Sequence, residues 1–169
     1  VEYVRALVEQ GVNVDDAFDS INFRVTAACD QVATIARLRA LRTAWARVGE
    51  VFEVSPAKRG ARQHAVTSWR EITRDDPYVN ILRATIATFS AAVGGAEAIT
   101  VLPFDTVWGL PNDFSRRLAR NTQVVLAEDG SFAALFAFDE LDLEVRHVVV
   151  EVFAGDAQAF QFGVSIPYR

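Results

Sequence analysis

Short β-branched or aromatic runs alternate along the chain with longer stretches whose apolar residues recur every three or four positions, the pattern of strands followed by helices. VEYVRALVEQ reads as a helix stopped by Gly11. INFRVTAACD then has strand character, and Val32, Ile35, Leu38, Leu41, Trp45 and Val48 set the apolar stripe of a helix behind it. A loop containing Pro56, Lys58, Arg59 and Gly60 leads to a second strand candidate, QHAVTSW. Asp76-Pro77 supplies a cap and a first helical position, so a helix is predicted from Pro77 to about Val93, where Gly94-Gly95 stops it. AITVLPF opens a third unit, with a turn over Gly109 to Pro111 and a helix capped by Asn112 or Asp113 that runs through Leu126 and ends near Gly130.

Three strand-then-helix units with short connections predict a parallel sheet, because parallel strands need a helix-sized return path. Strands near 22–27, 61–68 and 98–102 are expected side by side, with helices near 31–48, 77–93 and 112–128 on one face. The fold class is α/β, a partial (β/α)8 TIM barrel of about three βα units; a complete barrel needs about 200 residues or more. A boundary is expected near Ser131, separating a barrel portion over 1–131 from a divergent, β-rich tail over 132–169. That tail holds half of the chain's 12 phenylalanines, and LDLEVRHVVVEVF alternates as one arm of a β-hairpin would.

Composition narrows the function. The chain has 169 residues, 51% of them hydrophobic, enough for one core. Lys58 is the one lysine among 17 basic residues, and 22 acidic residues outnumber them, so no global field favours nucleic acid or an anionic membrane. A lone cysteine, Cys29, cannot close an internal disulfide, and no apolar run is long enough to span a bilayer. A cytoplasmic location is the expectation. His64, His147 and Cys29 lack ligand spacing, so no metal site is expected.

No dinucleotide, nucleoside-triphosphate or α/β-hydrolase motif occurs, and motifs alone name no reaction or catalytic residue. In a strand of period two, Arg62, His64 and Val66 share a face, where His64 either reaches a ligand or satisfies a neighbouring group. Asp105, just past the third strand, either caps a turn or does chemistry. Arg37, Arg39, Arg42 and Arg47 read as a solvated helix face, and Asn121, Thr122 and Gln123 as helix-to-loop hydrogen bonding.

Three elements in order, R-x-H-x-x-T-S from Arg62, D-P-Y-x-N from Asp76 and A-R-N-T-Q from Ala119, resemble the acyl-CoA-binding barrel of the methylmalonyl-CoA mutase family. The segment ITVLPFD resembles that of the small, non-catalytic subunit of its bacterial heterodimers, and the stretch upstream of Val51 is similar to the preceding βα unit. The resemblance covers roughly residues 5–130.

It implies a fragment of an adenosylcobalamin-dependent isomerase that interconverts methylmalonyl-CoA and succinyl-CoA. The cobalamin belongs to the family assembly, and none is expected on this chain alone, because neither histidine lies in the family's D-x-H-x-x-G loop. The catalytic T-S-G is also departed from, since Trp69 follows Ser68. The resemblance therefore implies a non-catalytic chain whose partner is the catalytic mutase subunit, with acyl-CoA contacts carried over onto Arg62, His64 and Ser68. An isobutyryl-CoA type of mutase and a non-enzymatic association domain are the alternatives. After Ser131 the family's next segment is absent, and a truncated reading frame, a frameshift or an incomplete gene would each give that pattern.

Overall fold

The computed structural model describes residues 1–128. The boundary near Ser131 and the tail over 132–169 lie outside the described residues. Two short helices, α1 (Glu2–Glu9) and α2 (Val14–Asp19), precede three βα units: β1 (Asn22–Ala27) with α3 (Gln31–Val51), β2 (Arg62–Thr67) with α4 (Val79–Val93), and β3 (Ala98–Thr100) with α5 (Asp113–Glu128). The strands lie in the order β1-β2-β3 and both pairs are parallel. The register sets Arg24 opposite His64, and His64 opposite Ala98. The expected arc of a partial βα barrel is therefore present.

One face of the sheet is apolar and carries the helices. Ala27, Ala65 and Ile99 share it and join Leu38 of α3 and Ala87 and Ala91 of α4 in one buried cluster, with Ala119 of α5 packed against it. Alanines dominate this layer, and small side chains let helix and sheet backbones approach closely. Gln63 and Thr67 are the polar exceptions: Gln63 is 1% exposed and donates from Nε2 to the Leu38 carbonyl at 3.0 Å, and buried Thr67 accepts at Oγ1 from Leu102 N–H at 2.8 Å. A second cluster closes the N-terminal end, where Phe18 of α2 stacks on Trp45 of α3 at 4.1 Å and Phe23 meets the same ring edge-on at 4.9 Å.

Helix ends follow the backbone rules. After α1, Val12 N–H donates to the Leu7 carbonyl and Gly11 N–H to that of Val8, with Gly11 at φ +89°. After α4 the same pair of bonds forms from Ala96 and Gly95, with Gly95 at φ +80°. After α3, Val54 N–H reaches the Gly49 carbonyl and Glu53 takes the left-handed position at φ 57°.

Three expectations shift. Helix α2 was not read from VDDAFD, a six-residue segment stabilised by Asn13 accepting from Asp15 N–H. Helix α4 starts at Val79, two residues beyond Pro77, because the Asn80 side chain folds the preceding loop onto itself. The α3 arginines do more than face solvent: Arg42 donates to the carbonyls of Gly94 and Gly95, and Arg37 to that of Thr26.

Candidate functional site

The face of the sheet turned away from the helices presents Asn22, Arg24 and Thr26 from β1, Arg62, His64 and Val66 from β2, and Ala98 and Thr100 from β3. In a closed barrel this face points inward, where bulky branched residues ordinarily fill the interior. Here it is polar apart from Val66 and Ala98, and none of these residues is acidic.

The three sequence-predicted contacts share this side of β2 but do not cluster. Arg62 stands exposed at the N-terminal end, where its guanidinium meets Asp19 Oδ1 at 2.7 Å. Asp19 also accepts from Lys58 Nζ at 3.0 Å, so α2, the loop before β2 and β2 itself are tied together there. His64 sits half-buried in mid-strand with Nε2 2.7 Å from Thr100 Oγ1. Burial, then the neighbouring Arg24 charge, pulls its pKa below the ordinary histidine value. Ser68 is buried just past the C-terminal end of β2. At about 3.3 Å per residue, Arg62 and Ser68 stand roughly 20 Å apart along the strand.

The C-terminal ends of the strands, where parallel α/β folds place their chemistry, meet in a small recess lined by Thr67, Ser68, Glu71, Asn80, Arg83 and Phe104, among others. Asn80 organises it. Its amide accepts from Thr73 N–H at 3.0 Å and donates to the carbonyls of Thr73 and Phe104 at 2.8 and 3.0 Å, while Arg83 donates to its Oδ1 at 2.9 Å. The Glu71 carboxylate accepts from Cys29 N–H with both oxygens, which joins the ends of β1 and β2. Burial, then Glu71, pushes the Cys29 thiol up, so it is a poor nucleophile. Asp105 Oδ2 accepts from Asn112 N–H at 3.4 Å, and its buried Oδ1 has no partner among the described residues. Asn112 in turn caps α5 through Ser115 N–H at 2.9 Å. Thr122 bonds back to the Leu118 carbonyl within α5.

Sequence reasoning missed Arg24, Asn80 and Glu71. Counting by two from Asn22 would have placed Arg24 beside His64 once the strands were paired, and Asn80 closes the D-P-Y-x-N element. Nothing local marked Glu71, because its partner lies 42 positions away.

Among the described residues, the donors present do not fit a cobalamin ligand. His64 Nε2 is engaged by Thr100 in mid-strand, and no group of three or more His, Cys, Asp or Glu side chains able to hold a metal occurs among the described residues. No helix among them is long and apolar enough to cross a membrane.

Parallel βα units with helices on one face of the sheet define a segment of a βα barrel. The family model described as methylmalonyl-CoA mutase matches residues 1–136, and the chain belongs to that family. It is 70% identical to the methylmalonyl-CoA mutase small subunit of Propionibacterium freudenreichii subsp. shermanii, over 76% of this chain and 20% of that protein. It is 55% identical to the small subunit of Streptomyces virginiae, over 79% and 21% respectively. Against the methylmalonyl-CoA mutase of Cereibacter sphaeroides the identity is 37%, over 76% and 18%. The higher identities are to small subunits, in line with the resemblance read from the sequence. The chain spans about a fifth of the length of these relatives.

Proposed function

We propose that this chain forms three βα units of the acyl-CoA barrel of a mutase small subunit, and that it supports a catalytic subunit without itself performing the isomerisation. The observation that carries this reading is the largely polar, acid-free inward face of the sheet, which suits an extended, anionic thioester better than a self-filled apolar barrel core does. Arg62, His64 and Ser68 then contact the ligand at successive heights along β2. Adenosylcobalamin, which would supply the radical chemistry, belongs to another part of the assembly. A single cysteine, raised in pKa, suits a reducing, cytoplasmic setting.

Association has its own support. Tyr78, at the residue before α4, and Leu82 and Ile86 within it follow one another at four-residue spacing, and all three are exposed. Such a stripe suits contact with the partner subunit.

Calorimetric titration of a CoA thioester into the full chain tests the ligand reading. Saturable binding that weakens in Ser68→Val and His64→Ala is expected, with no isomerase turnover by the chain alone. Absence of binding would leave the association role as the better account.

A further inference from the structure

β3 pairs with β2 on one side and with no strand on the other among the described residues. Glu97 N–H donates to the Gln63 carbonyl on the β2 side, and strand amides alternate between the two edges, so the N–H groups of Ala98 and Thr100 point to the open one. Edge strands are ordinarily guarded by charge or proline, and β3 carries neither. It is an edge built to be paired. A second observation lies on α5. Gln123 follows Ala119 by one turn on the helix face packed against the sheet; it is 7% exposed, and its buried Oε1 has no donor among the described residues. Buried amide oxygens are satisfied in the large majority of folded proteins.

The chain itself delivers an occupant to this place. α5 starts near the C-terminal end of β3, where Phe114 meets Phe104 edge-on at 6.2 Å, and running back along the sheet it ends toward the start of β3. From there the chain continues to Arg169, and a right-handed crossover puts its next strand parallel to β3 on the side away from β2. The alternation over residues 141–146 suits that position: Leu141, Leu143 and Val145 would extend the apolar layer that holds Ile99 and Val101, leaving Asp142, Glu144 and Arg146 on the polar side. We propose that residues 141–146 pair with the open edge of β3 as a fourth parallel strand, and that the residues leading into it supply the donor that Gln123 Oε1 lacks. Tethering favours this segment over a second copy or another subunit, because its pairing needs no bimolecular encounter.

Amide hydrogen exchange of the full chain, resolved by residue, tests the pairing at Ala98 and Thr100. Wild type is compared with Val145→Pro, which removes a strand donor, and with Gln161→Pro outside the alternating run; Ala65 in the central strand reports that each protein is folded. Exchange at Ala98 and Thr100 slowed about a hundredfold or more relative to an open peptide is expected in the wild type, independent of protein concentration. In V145P it should quicken about tenfold or more at these two amides, with Ala65 unchanged, and in Q161P it should stay slow. Fast exchange at both amides in the wild type overturns the proposal. Protection that rises with concentration overturns it in favour of a second copy, and protection that arises only when a catalytic mutase subunit is added assigns the edge to that partner instead. Slow exchange indifferent to V145P means that some other segment covers β3, which also overturns it.

Discussion

Arg42 of α3 occupies the space that a side chain at Gly95 would need. A Cβ on Gly95 would lie 2.6 Å from Arg42 Nη2, and that same nitrogen donates to the Gly95 carbonyl at 2.7 Å and the Gly94 carbonyl at 3.1 Å. A cation thus sits on the exposed carbonyls at the end of α4, where the helix dipole favours it. Gly95 combines two demands, since its φ of +80° also disfavours any residue with a Cβ. Gly95→Ala is expected to destabilise the fold by roughly 2 kcal/mol. Arg42→Gln should cost about 1 kcal/mol through the lost cap. Urea unfolding of both variants checks the order, and a neutral G95A would contradict it.

Glu53 occupies the left-handed position after α3 that glycine fills after α1 and α4. Relief of that backbone conformation makes Glu53→Gly an expected stabilising change of about 0.5–1 kcal/mol. The thermal midpoint should rise, whereas Glu53→Ala should leave it nearly unchanged. A fall in midpoint for E53G would show that the Glu53 side chain, not its backbone, matters there.

Much of this was legible in advance because the signals are local. Period-two and period-3.6 patterning placed the three strands and α3, α4 and α5, and Gly11 and Gly94-Gly95 marked two helix ends. What escaped depends on contacts distant in sequence. α2 is too short to show a period and is kept by Phe18 stacking on Trp45. Arg42 looks like any exposed helical arginine until α4 ends beside it. At the candidate site, parity alone put Arg62 and His64 on one face, but Arg24 required the β1–β2 register and Glu71 its contact with Cys29.

Asn80 satisfies four groups at once, and it is 2% exposed. Asn80→Ala would strand the Thr73 N–H, the Thr73 and Phe104 carbonyls and one Arg83 bond inside the recess, and an expected loss of about 3 kcal/mol follows. Denaturant midpoints measure it. A loss under 1 kcal/mol would mean that water replaces the amide and that the loop between β2 and α4 is held by other contacts.

His64 gives stability a pH dependence. Its folded pKa lies below the unfolded value of about 6.5, so between the two the unfolded chain binds more protons and stability rises with pH. The contribution is whole above the unfolded value and is lost as pH falls through the folded one. Unfolding midpoints should therefore drop between pH 7 and 5.5 in the wild type and less so in His64→Gln. Equal drops in the two proteins would assign the acid sensitivity elsewhere.

The central claim, that the inward face of the β1-β2-β3 sheet is a ligand surface, is tested most directly by mapping backbone amide resonances of the full chain during titration with CoA. Perturbations are expected to fall along Arg24, Thr26, His64, Ser68 and Thr100, residues that face inward or line the strand ends. Shifts confined to the exposed Tyr78 and the α4 positions Leu82 and Ile86, or no shifts at saturating CoA, would contradict it.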